Sequence, residues 1–584
     1  MKRIILSLLL LVFYANSKAD YEVYLNVHKI DNIYYRITSD SETERTCNVS
    51  YLYYRDWRKR YGEYGTIEHF PFYGKDSINI PSQVTIMGDE FTVTGIDEYT
   101  FYKCERIVYV SIPSTVRSIG DYAFQECSAL KTIILPDSLE SLGVGCFKVS
   151  GIESFVLPRK IKSINNSLLY YCRALKQVTL HENLDSIGPN SFTNCSNLHE
   201  ISIPESVTYI GDQSFWKCVA LSEILIPKNV THLGKHFVQN GYNTSLSAIN
   251  VDPGNKSYCS IEGVLYDKQK TKLMICPERF EGDLIIPETV TTLDADVFRY
   301  CRNIKSVTFP DGLKSIGKHS FRETNIISSI SLPKNLESIG DSCFIDSYIP
   351  SITIPASTTF IGKNALAGNG FTEIIVDENN PNYSSRDGVF YNKDFSELII
   401  YPRGKAAKSF VVPGQVKTIC DDAFAYNPSY ETYPSPLETI EIENGVEVIG
   451  RDNFVHFTNL KTVSLPASMK EVQYRSFWDC DNLFEVTVYA PTPPIANQSD
   501  LADRNRKLHV LPECVDIYKS SSYWSKFGRI IGDAVAGMEG ISTDTDNQFR
   551  QFFTIDGKPT ESMNPGKILV QKSSSGESKK IIVR

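Results

Sequence analysis

The chain is poor in the features that announce chemistry. Of 584 residues only 9 are His, and the 14 Cys include no C-x2-C pair, so no metal site is expected. His232 and His236 stand four apart, but no Glu follows His232 as in a zinc-protease helix, and His236 occupies a slot otherwise given to small residues. No G-x-S-x-G, phosphate-binding loop or dinucleotide motif sits in a fitting context. These absences argue against an enzyme and against any cofactor. The net charge of −9 is mild, whereas a duplex binder more often carries a basic face, so no nucleic-acid partner is expected. Long apolar runs are also missing. After the first residues no segment could cross a bilayer, so the mature chain is expected to have no membrane span.

The first 19 residues read as a secretory signal. Lys2 and Arg3 precede a short apolar run from Ile4 to Tyr14, and Ser17 and Ala19 supply small residues for cleavage after Ala19. No cysteine follows until Cys47, which argues against a lipid anchor. A secreted or cell-surface protein is the expectation.

What the chain has in abundance is itself. Ile112-Pro113-Ser114-Thr115-Val116-Arg117-Ser118-Ile119-Gly120-Asp121-Tyr122-Ala123-Phe124 returns as Ile203-Pro204-Glu205-Ser206-Val207-Thr208-Tyr209-Ile210-Gly211-Asp212-Gln213-Ser214-Phe215. The period is about 23 residues, which means stacked coils, each too small to bury its own apolar face. An Ile/Leu slot recurs from Ile96 and Ile119 through Ile449 and Val472, usually followed by Gly (Gly120, Gly143, Gly211, Gly340, Gly450). Such a Gly suggests positive φ or close backbone approach. Five residues after the slot stands a Phe, as at Phe101, Phe124, Phe147, Phe192, Phe215, Phe321, Phe344, Phe454 and Phe477, and these rings should pile into a spine. Leu169 and Leu366 replace it twice. Asp121, Asp212, Asp341 and Asp422 suit the N-cap of a one- or two-turn helix. A strand follows, as in Leu130-Lys131-Thr132-Ile133-Ile134-Leu135, closed by Pro136 and its equivalents because proline cannot donate to a ladder. His181 and Glu443 stand where that proline is expected.

The order Ile-Pro…Val…Ile-Gly…Ala-Phe…Cys…Leu resembles the BspA-like leucine-rich repeat family of bacterial surface proteins over about residues 90–490. A second trait of that family occurs twice: Val251-Asp252-Pro253-Gly254-Asn255 leading to Gly263-Val264-Leu265-Tyr266, and Val376-Asp377-Glu378-Asn379-Asn380 leading to Gly388-Val389-Phe390-Tyr391. These read as β-hairpin insertions projecting from an edge, with Tyr266 and Tyr391 as packing residues. The expected fold is a leucine-rich-repeat solenoid, a parallel β-sheet on one side and short helices or turns on the other, with hairpin insertions and β-rich caps. The resemblance implies adhesion: contact with host matrix or cell-surface proteins, or with other bacterial surfaces, from the outer-membrane exterior. A glycan-binding accessory role and an architectural coat role stay open beside it.

The expected boundaries are a signal peptide at 1–19, an N-terminal β cap at 20–90 and the solenoid at 91–490. Insertions are expected near 251–286 and 376–412, a C-terminal cap at 491–532, a linker at 533–547 and a β tail at 548–584. The stretch from Tyr426 to Pro436 should bulge as a loop. The tail is either a sorting signal or a plain β appendage. Cys104, Cys127, Cys172, Cys195, Cys218, Cys301 and Cys480 share one slot and point one way, so they are expected to be free, buried thiols filling the core. The exposed sheet face, with Thr132 and Ile134, Gln177 and Thr179, Ser351 and Thr353, and Thr462 and Ser464, is mostly small hydroxyls and lacks anchor residues. Candidate binding residues lie instead in the N-terminal region: Tyr54, Arg55, Trp57, Arg58, Lys59 and Arg60. They either hold a sulfated glycan or an acidic stretch of a partner, or form a solvated turn.

Overall fold

The computed structural model describes residues 27–50 and 76–535, apart from 32, 42, 240, 242, 243, 325–329, 348, 368, 369, 425–434 and 497, together with four strands of the tail. The expected signal peptide and the loop within 426–436 fall outside these residues. The chain divides into two compact units, Met1–Gly282 with Thr292–Ile304, and Asp283–Thr291 with Lys305–Arg584. Each is built as a parallel β-solenoid with little helix.

One coil explains the rest. Strand Glu223–Ile226 lies parallel to Ala248–Val251 in the next coil, with Ile224 opposite Ile249. Alternation sends Ile224 and Ile226 into the core and Glu223 and Leu225 to solvent. Pro227 ends the strand, and its carbonyl accepts the N–H of buried Val230 at 3.3 Å to make the corner. The same proline corner recurs at Pro113, Pro136, Pro204, Pro310, Pro333, Pro413 and Pro466. The chain then enters a second, two-residue strand at the Ile slot. Ser163–Ile164, Ser186–Ile187, Tyr209–Ile210 and His232–Leu233 form one four-stranded parallel sheet. Most coils therefore contribute to two parallel ladders, where one was expected.

The third side is made of turns. Among the described residues the short helices expected after the slot do not occur; helix is confined to Val515–Ser520 and two flanking 3-10 turns. Instead alternate N–H groups reach the next coil. Tyr122 donates to the Val144 carbonyl at 2.9 Å, Phe124 to Cys146 at 2.8 Å, and Glu126 to Lys148 at 2.8 Å. This third ladder requires left-handed backbone at two positions per coil, such as Tyr122 (φ 55°) and Glu126 (φ 62°), or Gln213 (φ 54°) and Lys217 (φ 59°). Each costs about 1–2 kcal/mol for an L-residue, and the ladder bonds offset it.

Two expectations change in consequence. The slot glycines do not have positive φ; they permit close approach. A Cβ on Gly211 would lie 2.5 Å from the Pro189 backbone nitrogen, and one on Gly120 2.4 Å from that of Glu98. The aspartates do not cap helices either. Asp121 accepts the N–H of Val144 in the next coil (2.7 Å), Asp212 that of Lys235 (2.8 Å) and Asp341 that of Lys363 (2.9 Å). In the coil of Phe424 this task falls to Asp421, which accepts from Arg451 at 2.8 Å, and not to Asp422.

The core is the expected spine. In the first unit Phe101 stacks on Phe124 at 4.8 Å, Phe124 on Phe147 at 5.5 Å and Phe192 on Phe215 at 5.3 Å. In the second, Phe321 meets Phe344 at 5.1 Å and Phe454 meets Phe477 at 4.9 Å. All fourteen cysteines are free. The slot thiols are buried, and several donate to the carbonyl of the preceding coil's spine residue: Cys127 to Phe101 (3.1 Å), Cys218 to Phe192 (3.1 Å), Cys480 to Phe454 (2.9 Å). Burial pushes the Cys218 and Cys480 thiols up to about 12.

The two insertions are antiparallel meanders set inside a coil, not appendages on an edge. Tyr258–Ile261, Val264–Asp267 and Lys272–Ile275 pair in sequence, and the third strand then pairs in parallel with Thr292–Leu293, resuming the slot sheet. In the second unit Tyr383–Arg386, Val389–Asn392 and Glu397–Ile400 do the same and lead to Thr418–Ile419. Tyr266 and Tyr391 are buried, as the sequence suggests. The fit is fixed by a buried asparagine. Asn255 Nδ2 donates to the carbonyls of Pro227 (2.7 Å) and Val230 (3.0 Å), and Oδ1 accepts from Ser257 and Tyr258, both at 2.8 Å. Asn380 repeats all four bonds. The Tyr258 phenol accepts the N–H of Leu233 (3.1 Å), closing the slot sheet, and Tyr383 does so for Ile361 (3.2 Å).

Candidate functional site

Among the described residues no group of three His, Cys, Asp or Glu is placed to hold a metal, and no helix is long and apolar enough to cross a membrane.

The long-strand face was expected to be chiefly hydroxyls. Thr462 does bond Thr439 from coil to coil at 3.1 Å. In the first unit the exposed row is mixed: Ile134 (71% exposed), Val156 (63%) and Leu225 (54%) share it with the exposed hydroxyls of Thr179 and Ser202. Beside it runs a charge ladder, with Lys131 and Lys176 bracketing Glu153 at 3.3 and 3.0 Å. Hydrogen bonds from these lysines hold the Glu153 carboxyl below its usual range. In the second unit Lys408 and Lys461 bracket Glu438 likewise. Exposed pairs of this kind are screened by solvent and add little stability.

The turn side is richer. In four coils the residue directly after the spine position is a partly or fully exposed aromatic: Tyr102, Tyr170, Trp216 and Trp478. The turn ladder aligns neighbours so that side chains stack. Tyr99 lies on Tyr122 at 5.1 Å. Cations lie over the rings: Lys148 over Tyr170 (5.1 Å), Arg173 over Tyr171 (5.3 Å) and Lys217 over Trp216 (4.3 Å). In the second unit Arg475 lies over Trp478 at 4.4 Å and Tyr474 at 5.9 Å. His456 meets the Trp478 edge at 4.8 Å and bonds Asp479 at 2.6 Å, while Arg475 reaches Asp452 at 3.5 Å. Trp478 is 40% exposed and Tyr474 47%. Trp, Tyr and Arg are the residues that most often anchor protein interfaces.

Sequence reasoning missed this cluster. Its signal was the recurring position after the Phe, which reads as solvent unless the turn is known to be laddered. The residues singled out from sequence, Tyr54, Arg55, Trp57, Arg58, Lys59 and Arg60, lie outside the described residues.

The repeat itself matches a known family. The model for the BspA type leucine rich repeat region matches residues 64–175, 94–218, 145–260, 281–397 and 428–499. No curated protein matches the chain. Among solved structures, the pneumococcal vaccine antigen PcpA is 20% identical, with 87% of this chain and 99% of that one covered and a TM-score of 0.40. A leucine-rich repeat protein from Bacteroides ovatus is 19% identical, with 86% and 99% covered and a TM-score of 0.29. A leucine-rich cell surface protein from Faecalibacterium prausnitzii is 18% identical, with 89% and 98% covered and a TM-score of 0.27. With the repeat matched over most of its length, this chain belongs to the BspA-type leucine-rich repeat family.

Proposed function

We propose that this protein is exported, held at the bacterial surface, and mediates protein–protein interaction in adhesion to host matrix or cell-surface proteins or to other bacterial surfaces. The role is non-catalytic. Family membership supports a surface protein that binds other proteins; export and adhesion are the reading's finer part. The observation that carries it is the exposed Tyr474–Arg475–Trp478 cluster, which presents preorganised anchor residues on a rigid, laddered side. In this reading residues 1–19 are the leader, 20–90 and 491–532 cap the stack, 533–547 form a linker, and 548–584 form a β tail that is either a sorting signal or a plain appendage.

The test is binding of the mature chain to a panel of matrix proteins and whole cells, repeated with Tyr474→Ala/Trp478→Ala. Loss of at least one interaction in the double variant is expected. Adhesion that is undiminished would remove the cluster from the mechanism, and a parent chain that binds nothing in the panel would remove adhesion itself. An Arg58→Ala/Lys59→Ala/Arg60→Ala variant tests the N-terminal run as a second contact.

A further inference from the structure

In the first unit the turn side carries cations that the chain itself leaves unneutralised. Lys148, Arg173 and Lys217 each lie over an aromatic ring, and among the described residues none has a carboxylate within ion-pairing distance. This contrasts with the long-strand face, where Lys131 and Lys176 share Glu153. The four successive turns at 144–151, 166–174, 189–197 and 212–220 hold these three cations against one carboxylate, Asp212, whose Oδ1 is engaged by the Lys235 N–H. Three positive charges minus one leaves a local +2 on a chain whose net charge is −9.

The geometry prepares these charges for a ligand. Stacking on a ring orders a long side chain before binding, so less rotamer freedom is lost when a partner arrives. The turn ladder fixes the spacing. Val149 N–H bonds the Tyr170 carbonyl (2.7 Å), Tyr171 bonds Thr193 (2.7 Å) and Asn194 bonds Trp216 (2.7 Å), so these turns stack directly on one another. At about 4.8 Å per coil, Lys148 to Lys217 spans about 14 Å. In an extended peptide, side chains on one face recur every ~6.8 Å, so about five residues present three carboxylates over that distance. Between the cations lie the rings of Tyr170, Tyr171 and Trp216 and exposed Val149. A peptide with apolar side chains between its carboxylates can cover that surface and the charges together.

We propose that this stripe, centred on Lys148, Arg173 and Lys217, docks an extended acidic segment of a protein partner. The inference rests on the protein-binding role above and names the chemistry of one partner surface.

The experiment titrates the mature full-length chain into a fluorescein-labelled decapeptide of alternating Glu and Leu. A Lys/Leu decapeptide and dextran sulfate serve as comparison ligands. Lys148→Gln/Arg173→Gln/Lys217→Gln is expected to weaken binding of the Glu/Leu peptide by about tenfold or more. Lys131→Gln/Lys176→Gln, on the long-strand face, is expected to leave it unchanged. Absence of binding by the parent, equal binding by the triple variant, equal loss in the control pair, or tighter binding of dextran sulfate each overturns the proposal. The triple variant is also run in the cell-adhesion assay. Adhesion by the parent together with unchanged peptide binding by the variant sinks this inference and leaves the adhesion role standing. A non-adherent parent sinks the role, and the peptide titration still decides the stripe.

Discussion

Replacing Asn255 by Ala should open the first meander where it joins the stack. The side chain is 1% exposed and makes four bonds, two as donor and two as acceptor. At a net ~0.5–1.5 kcal/mol each, their sum is about 2–6 kcal/mol. The Pro227 carbonyl keeps a second partner in the Val230 N–H, and the Ser257 and Tyr258 amides are only part-buried and can take water. The loss should therefore fall near 3 kcal/mol. Asn255→Asp is the sharper probe. At neutral pH it aims a buried carboxylate at two carbonyl oxygens, which should cost more than Ala. Its folded-state pKa should lie above the unfolded value of about 3.9. The sign then follows: the penalty is smallest below pH ~4, where the carboxyl is protonated in both states, and grows as pH rises through the folded pKa. Urea denaturation at pH 4 and pH 8, with hydrogen exchange read at Ser257 and Tyr258, measures both effects. The reasoning is refuted if Asn255→Ala stays within ~0.5 kcal/mol of the parent, or if the Asp variant at pH 8 is more stable than the Ala variant.

Gly211→Ala should destabilise by roughly 1–3 kcal/mol or more, since its Cβ would meet the Pro189 backbone nitrogen at 2.5 Å. Gly312→Ala, whose nearest neighbour would be 3.7 Å away, should be neutral or gain up to ~1 kcal/mol, so thermal melts of the pair separate close approach from general intolerance. Phe215→Ala, at the 0%-exposed spine, should cost about 3–5 kcal/mol in denaturant titration. Denatured protein should take up an alkylating reagent at the slot cysteines without prior reduction, while native protein reacts slowly because the thiols are buried and Cys218 is pushed up to about 12. Mass spectrometry showing most of them blocked after denaturation would contradict the free-thiol core. Tyr258→Phe should cost about 1 kcal/mol by orphaning the Leu233 N–H, with faster exchange at that amide as the check.

The strongest repeating signals in the chain, the Phe, the Pro and the slot Ile, correspond to structure directly: a spine, a corner and a buried strand residue. What escaped is what needs a neighbour to be seen. The two-residue slot strands are too short to show alternation, so Ser186–Ile187 reads as part of a turn. The left-handed residues include Tyr122, Val149, Gln213 and Lys217, types that carry no glycine-like flag, while the conspicuous Gly211 has an ordinary φ. Asp121 looked like a helix cap because a side chain that reaches the next coil has the same local sequence as one that reaches its own. Trp478 was hidden in part for the same reason: His456, which meets its edge, comes from the neighbouring coil.

The phenols of Tyr258 and Tyr383 have a mechanical corollary. At Leu233 and Ile361 an inner ladder that elsewhere runs peptide to peptide is finished by a single side-chain oxygen. Pulled along its own stack, each unit should part first at its seam, where one tyrosine oxygen sets the rupture point and the windings on either side come away as blocks.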